Sequence, residues 1–316
     1  MAADAVTSEI RFRAMGTDVH VAIVGARPGM PEMAHRFVED LEDRWSRFRP
    51  TSEISMLNAL AGLPVRVSTE TLVLVELALE GADRTGGRYD PTVLGAVLRA
   101  GYDRSFEHLP PVPASNGSTL EQGYERIAVD HAASTVAMPA GVGFDPGGIG
   151  KGYAADLLVE ELLVLGAAGA CANLGGDLRV QGEPPSGGPW AVAVEHPLAG
   201  SPVALVGLRE GAVATTSQAK RAWGSPDDRR HHLIDPATGR PADGGVLSAT
   251  VVASEAWLAE VLAKAAFLSG VRGGLELFDA TGTDGLLFDD QGSMHRSAGF
   301  ERFTQVEPVA ASGASR

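Results

Sequence analysis

Apolar residues recur along this chain with two different periods, which predict strands and helices. Residues 19–24 alternate apolar and polar side chains and predict a strand, and residues 10–14 predict a partner strand joined to it by the short link at 15–17. Between residues 32 and 47 apolar side chains return every fourth position, which predicts an amphipathic helix that covers the sheet. This part of the chain is therefore predicted to fold as a hairpin followed by a packed helix.

The same two periods predict most of the remaining elements. Further helices are predicted behind a Thr51 or Ser52 cap and over 68–85, 153–165 and 255–268. Further strands are predicted at 65–67, 127–129, 135–138, 170–180, 190–195, 203–208, 213–215, 247–252 and 286–288. Because hairpins dominate and no regular βαβ alternation occurs, we predict an α+β fold of mainly antiparallel sheets with covering helices. We expect one two-lobed domain over residues 10–303 and a disordered tail at 304–316.

Charge and cysteine content narrow the classes of function. The 316 residues carry a formal net charge of −14, which argues against binding nucleic acid or an anionic membrane surface. A phosphate ligand would therefore need a local cluster of positive side chains. Cys171 is the only cysteine and residues 1–11 hold no apolar run, which together favour a cytoplasmic protein without disulfides or membrane insertion. The sequence indicates no oligomeric state.

A glycine-rich stretch at residues 145–156 is the strongest candidate for chemistry. It places Lys151 among glycines directly before a predicted helix, and the free N–H groups at a helix N-terminus favour a phosphate. Gly147, Gly148 and Gly150 are expected to adopt backbone angles that other residues avoid. The stretch therefore predicts a loop that approaches an anionic ligand closely.

Two familiar phosphate motifs do not match this stretch. Gly152 follows the lysine where a Walker A loop has Ser or Thr. Tyr153 occupies the third small position of a dinucleotide fingerprint that starts at Gly148. A plain turn with an exposed Lys151 therefore stays open as the alternative to a phosphate site.

Polar residues also cluster at three other places. Residues 88–90, Arg-Tyr-Asp, lie in a glycine loop ahead of another predicted helix, and residues 173–177, Asn-Leu-Gly-Gly-Asp, predict a tight hairpin turn that needs no ligand. His231 and His232 are adjacent on a predicted strand, so they point to opposite faces and at most one of them serves a given site. We favour His232, because it shares its face with Ile234.

Taken together, these motifs resemble those of one family. They are Ala14-Met-Gly-Thr17, Asp145-Pro-Gly-Gly-Ile-Gly-Lys-Gly-Tyr-Ala-Ala-Asp156, Asn173-Leu-Gly-Gly-Asp177 and His232-Leu-Ile-Asp-Pro-Ala-Thr-Gly239. In this order they make residues 12–300 similar to the bacterial FAD:protein FMN transferases, the flavin transferases of the ApbE type. The resemblance implies an ApbE-like domain, FAD as substrate and Mg²⁺ as cofactor. It also implies an acceptor flavoprotein whose Thr or Ser hydroxyl receives FMN while AMP leaves.

The resemblance assigns roles to individual residues. Contacts with FAD are implied for Met15, Phe48, Arg88, Tyr89, Asp90, Asp145 and Lys151, where Phe48 stands at a position that the family usually fills with Tyr. Catalytic roles are implied for Lys151, which would stabilise pyrophosphate charge, and for His232, which would act as a base. Metal ligands are implied at the Gly148 carbonyl, Glu260 and Lys264.

Position 264 departs from the family, which has Asp and Thr where this chain has Glu260 and Lys264. An ammonium group has no lone pair with which to coordinate a cation. Two interpretations stay open: Lys264 neutralises pyrophosphate charge in place of a cation, or it forms a surface pair with Glu260 one helical turn away. Accordingly, an FAD pyrophosphatase that releases FMN and AMP and a non-catalytic FAD-binding protein stay open as alternatives to transfer.

Overall fold

The structure is a computed structural model that describes residues 7–110, 117–185, 187–218, 221–225 and 228–304. The tail predicted at 304–316 lies outside these residues except for Thr304. The helices in this part of the chain are α1 (Met30–Trp45), α2 (Glu53–Ala59), α3 (Thr69–Arg84), α4 (Leu94–Arg99), α5 (Gly150–Val164), α6 (Ala256–Leu268) and α7 (Gly270–Thr281).

The strands are short and follow one another mostly as hairpins. They are β1 (Thr7–Ala14), β2 (Thr17–Val24), β3 (Pro64–Arg66), β4 (Ala128–Asp130), β5 (Thr135–Ala137), β6 (Gly169–Leu174), β7 (Asp177–Gly182), β8 (Trp190–Glu195), β9 (Pro202–Leu208), β10 (Gly211–Ser217), β11 (Ala222–Ser225), β12 (Asp228–His231), β13 (Ile234–Asp235), β14 (Arg240–Pro241), β15 (Val246–Ala253), β16 (Asp284–Asp289) and β17 (Met294–Arg296).

Eight strands form one sheet that organises the molecule. Their order is β1-β2-β6-β7-β10-β15-β16-β17, and every neighbouring pair is antiparallel. A smaller sheet of order β3-β5-β4 is also antiparallel. The α+β prediction is therefore confirmed. In the described residues, no helix is both long and apolar enough to cross a membrane.

The large sheet is buried on both faces, and strand alternation explains how. Along β2, Val19, Val21 and Ile23 belong to the main core under α5 and α6, whereas Ala22 and Val24 belong to a second core against the β8–β9 hairpin. Because successive strand residues point to opposite faces, one apolar strand contributes to both cores. The chemistry-bearing side chains therefore gather at an end of the sheet rather than on a face.

Two hairpin turns lie side by side at that end of the sheet. The β1–β2 turn is made by Met15 and Gly16, with φ of 52° and 64°. The β6–β7 turn is made by Gly175 and Gly176, with φ of 71° and 107°. Gly175 N donates to the carbonyl oxygen of Asp18 at 3.0 Å, which joins the two turns. Two-residue turns with positive φ match the twist of the strands they connect, so both hairpins formed as predicted.

Two local features differ from the sequence prediction. Helix α7 was not predicted, because its three glycines look like chain breaks; Gly274 instead allows close packing, since a Cβ there would lie 2.8 Å from a Leu287 methyl. His232 does not lie in a strand, because β12 ends at His231 and the chain then bends. The helix caps were predicted correctly: Ser52 and Ser68 accept from Ser55 N and Thr71 N.

Candidate functional site

Two adjoining cavities open at the end of the sheet that carries the paired turns. Their volumes are about 370 and 240 Å³. The residues that line both cavities include Gly16, Phe106, Lys151, Arg221, His232 and Lys264. The two cavities therefore form one cleft, and most of the residues at their junction are basic.

The larger cavity has an aromatic end. Phe48 and Tyr102 lie with ring centroids 5.7 Å apart, and Phe106 lines the same wall. The guanidinium carbon of Arg47 lies 4.1 Å from the Phe48 centroid and 4.7 Å from the Tyr102 centroid. Arg47 is oriented by Asp145, whose Oδ2 lies 3.5 Å from its Nε. Flat rings with a fixed cation suit the stacking of an aromatic heterocycle.

The glycine loop uses its glycines for space rather than for unusual backbone angles. Gly147, Gly148 and Gly150 have none of the positive φ values that were expected of them. A Cβ at Gly148 would instead lie 2.8 Å from Lys264 Cε and 3.0 Å from the Tyr89 ring. A Cβ at Gly152 would lie 2.6 Å from the Ala256 carbonyl carbon. The missing side chains therefore let α5 approach α6 closely.

One carboxylate holds α5 and α6 in register. Asp156 on α5 accepts from Ala256 N at 2.8 Å and from Trp257 N at 2.9 Å, so it caps α6 from the neighbouring helix. Burial raises the pKa of Asp156 to about 7 against the opposing effect of these two N–H groups. Asp156 thereby sets the position of α6, which carries Glu260 and Lys264, relative to Lys151.

Lys151 lies in the first turn of α5 and is held by two carboxylates. Its Nζ contacts Asp177 and donates to Glu260 Oε1 at 2.6 Å, while Gly152 N donates to Glu260 Oε2 at 2.8 Å. Burial acts to lower the pKa of Lys151, but Asp177 and Glu260 outweigh it and the net pKa is raised. Lys151 is therefore not the exposed lysine of a plain turn, and Asp177 does more than complete a hairpin.

Lys264 lies one turn beyond Glu260 and has a different setting. Its Nζ donates to the Gly147 carbonyl at 3.4 Å, and no described carboxylate oxygen lies within 4 Å of it. Burial lowers the pKa of Lys264, and it outweighs the nearby negative charges of Glu260 and Asp145, which act to raise the pKa. The surface pair between Glu260 and Lys264 is therefore not formed, because Glu260 is bound to Lys151 instead.

His232 lines both cavities in a defined tautomer. Its Nδ1 donates to the carbonyl oxygen of Arg221 at 3.4 Å, and no described residue bonds its Nε2. Burial and the positive charges of Arg221 and Lys264 hold the pKa of His232 well below its ordinary value. The imidazole is therefore neutral with Nε2 free to accept a proton. His231 is turned away and bonds Ala242 O and Leu233 N.

The residues of the 88–90 loop are placed differently from one another. Tyr89 lines the larger cavity, and its buried hydroxyl has no hydrogen-bond partner among the described residues. Asp90 also lines it, and burial raises the pKa of Asp90 although Thr92 bonds its carboxylate. Arg88 lines neither cavity; its guanidinium bonds Asp235 and the carbonyl oxygen of Leu268. Arg88 therefore does not line the cleft and can only support the residues that do.

The structure brings most of the expected residues together. Around the cleft it places Met15, Phe48, Tyr89, Asp90, Asp145, Gly148, Lys151, His232, Glu260 and Lys264. Sequence reasoning missed Asp177, Arg221 and Arg47 as members of the site. Asp177 stands in the quoted Gly-Gly-Asp turn and Arg47 beside Phe48, so both carried a signal, whereas Arg221 had only a polar run around it.

A cleft with an aromatic end, a basic junction and a neutral histidine has the chemistry to bind a nucleotide-like anion. The ApbE family matches residues 15–287, and the chain belongs to this family. It is 26% identical to the FAD:protein FMN transferase of Vibrio cholerae, over 92% of this chain and 90% of that protein. It is 29% identical to the FAD:protein FMN transferase of Treponema pallidum, over 90% and 85%. The crystal structure of the ApbE protein of Thermotoga maritima superposes with a TM-score of 0.86 at 28% identity, covering 95% of this chain and all of that one.

Proposed function

We propose that this protein transfers the FMN half of FAD to a Thr or Ser hydroxyl of an acceptor flavoprotein and releases AMP. The observation that carries the proposal is the neutral His232 at the basic junction between the two cavities. The names of the relatives support FAD as substrate. A cytoplasmic location stays a prediction from the cysteine content.

The two cavities suggest how the substrates would divide the cleft. An aromatic ring system of FAD would stack at the end formed by Phe48 and Tyr102, and its diphosphate would reach the basic junction. The smaller cavity is lined by hydroxyl-bearing residues, among them Thr215, Thr216 and Ser217, and no aromatic end is present there apart from Phe106, within the described residues. We assign it to the acceptor segment, whose hydroxyl would then meet the diphosphate next to His232.

The chemical step follows from this placement. The acceptor hydroxyl oxygen attacks the phosphorus on the FMN side, a new phosphoester O–P bond forms, and the bond from that phosphorus to the bridging oxygen breaks. The electron pair of the broken bond leaves with AMP, and the hydroxyl proton passes to His232 Nε2. The positive side chains at the junction stabilise the charge that develops on the phosphoryl oxygens.

The expected magnesium ligands do not form a donor set that suits Mg²⁺. Both carboxylate oxygens of Glu260 already accept hydrogen bonds, from Lys151 and from Gly152 N. Lys264 adds positive charge and no lone pair. In the part of the chain that the structure describes, no three Cys, His, Asp or Glu side chains group as a metal site. We therefore derive no step through a divalent cation.

Covalent labelling tests the proposal. Purified protein is incubated with FAD and an acceptor that carries an Asp-Gly-x-Ser/Thr-Gly-Ala-Thr segment, with and without Mg²⁺. We expect an increase in acceptor mass equal to bound FMN, together with release of AMP. His232→Asn should abolish the label, whereas His196→Asn should not, because His196 bonds the Gly292 carbonyl away from the cleft.

The products also separate transfer from its two alternatives. FMN and AMP formed without any labelled acceptor would identify a pyrophosphatase in which water replaces the hydroxyl. FAD bound tightly without turnover in any condition would identify a non-catalytic binding protein. Either result would contradict the transferase proposal.

A further inference from the structure

Lys264 is an unusual residue for a buried helix. Of the thirteen residues of α6, all except the half-buried Lys264 are buried, and only Glu260 and Lys264 carry a charge. Glu260 is satisfied by two hydrogen bonds from α5. Among the described residues, the one hydrogen bond of Lys264 is its long contact with the Gly147 carbonyl. A half-buried ammonium at the junction of the two cavities, with no ion pair to a described carboxylate, is well placed to meet an anionic ligand.

Lys151 does not provide that positive charge to the cleft. Together with Asp177 and Glu260 it forms a group of one cation and two anions, with side chains that are only 19%, 6% and 5% exposed. Both carboxylates contact the Lys151 ammonium, so its positive charge is already engaged within the protein. The residues that can attract a diphosphate must be found elsewhere at the junction.

Arg221 is the second cation without a carboxylate partner. It lines both cavities, its Nη2 donates to the Gly16 carbonyl at 3.3 Å, and no ion pair joins it to a described carboxylate. The diphosphate of a dinucleotide carries two negative charges. Lys264 and Arg221 together carry two positive charges at the place where the cavities meet, and the orphaned Tyr89 hydroxyl lies on the wall of the larger one.

We propose that Lys264 and Arg221, rather than a divalent cation or Lys151, are the counter-charges of the FAD diphosphate, so that this chain binds FAD without metal. The inference rests on the proposed function in one respect, that FAD is the ligand. It assigns Lys264 to direct contact with the phosphates, and it accounts for the poor fit of the neighbouring donor set to Mg²⁺. Lys151 instead stays paired with Asp177 and Glu260.

The first test uses the unaltered protein. FAD is titrated by flavin fluorescence in buffer with EDTA and in buffer with Mg²⁺. We expect dissociation constants that agree within about twofold, because the counter-charges belong to the protein. FAD affinity at least about tenfold higher with Mg²⁺ than with EDTA would overturn the inference.

The second test removes the charge at position 264. Lys264→Met keeps the length of the apolar stem and removes the ammonium, and we expect FAD affinity in EDTA to fall by about tenfold to hundredfold, as for loss of a charge-assisted hydrogen bond. Arg221→Met should lower it in the same direction. The matched control is Arg272→Met, which removes one positive charge from a side chain on α7 that is 93% exposed, and should leave affinity unchanged.

A conservative variant separates charge from packing. Lys264→Arg keeps the positive charge and should retain most of the affinity that Lys264→Met loses. Equal affinities for Lys264→Met and Arg272→Met, or equal losses for Lys264→Arg and Lys264→Met, would contradict the inference. Absence of FAD binding by the unaltered protein in either buffer would overturn the proposed function itself. Metal-independent FAD binding without labelled acceptor would refute transfer and leave the counter-charge inference standing.

Discussion

The first turn of α5 and the middle of α6 each direct one lysine to the same cleft, in opposite electrostatic settings. Lys151 contacts Asp177 and Glu260, and these carboxylates outweigh burial and raise its pKa. Lys264 donates a hydrogen bond only to a backbone carbonyl among the described residues, and burial lowers its pKa although Glu260 and Asp145 act to raise it. Lys151 therefore pairs with two carboxylates of the protein itself, whereas Lys264 is available to bind a ligand.

This difference shows that a lysine does not bind phosphate merely because it lies in a glycine loop. The glycines around Lys151 bring α5 against α6, and this approach places Glu260 on Lys151. Because Glu260 pairs with Lys151, it forms no ion pair with Lys264. Substitutions at the two lysines should therefore affect different properties, namely folding stability at 151 and FAD affinity at 264.

The largest effect is expected from Lys151→Met. The substitution removes the ammonium that both buried carboxylates, Asp177 and Glu260, contact. We expect the free energy of unfolding, measured by urea denaturation at pH 7, to fall by about 3–5 kcal/mol. A decrease below about 1 kcal/mol would mean that the carboxylates are solvated or protonated, and the comparison between the two lysines would fail.

The next effect concerns the two glycines that bring the helices together. Gly152→Ala places a Cβ 2.6 Å from the Ala256 carbonyl carbon and 2.8 Å from Trp257 N, both of them backbone atoms that cannot rotate away. We expect a loss of about 1–3 kcal/mol in unfolding free energy. Gly148→Ala meets chiefly the flexible end of Lys264, so it should cost less stability and instead weaken FAD binding. The reverse order in urea denaturation would contradict the packing argument.

A smaller effect is expected for Lys264→Met on stability. The substitution removes a half-buried ammonium that forms no ion pair with a described carboxylate, so the unfolding free energy should stay unchanged or rise by less than about 1 kcal/mol. Urea denaturation without FAD measures this, with Lys151→Met as the contrasting variant. A large loss of stability would show that Lys264 is a structural counterion.

The smallest effect is a shift in the titration of His232. Its pKa is lowered by burial first and then by the positive charges of Arg221 and Lys264. Lys264→Met should therefore raise the midpoint of the His232 imidazole signal in NMR toward the ordinary value. Because the folded state holds His232 neutral while the unfolded state protonates below about pH 6.5, its contribution to stability is lost as pH falls below that value. An unchanged midpoint would place Lys264 too far from His232 to share the junction.

The sequence alone predicted those elements that depend on interactions between residues close together in the chain, such as tight turns and helix caps. The β1–β2 and β6–β7 hairpins follow from glycine-containing links between alternating strands, and Ser52 and Ser68 cap their helices as predicted. The motifs also identified the family, because four of them occur in one order along the chain. Helix α7 was missed because local propensity penalises glycine, whereas packing against β16 rewards it.

Only the tertiary structure determined which charged side chains of the cleft are paired with other residues of the protein. Lys151 is neutralised by residues 26 and 109 positions away in the chain, and no local pattern reports such partners. His232 acquires its neutral state from burial and from Arg221 and Lys264, which belong to different segments. The charge state of a side chain depends on every group within a few ångströms and on the loss of water around it. The neighbouring charges and the loss of water are both set only when segments that are distant in the sequence pack together.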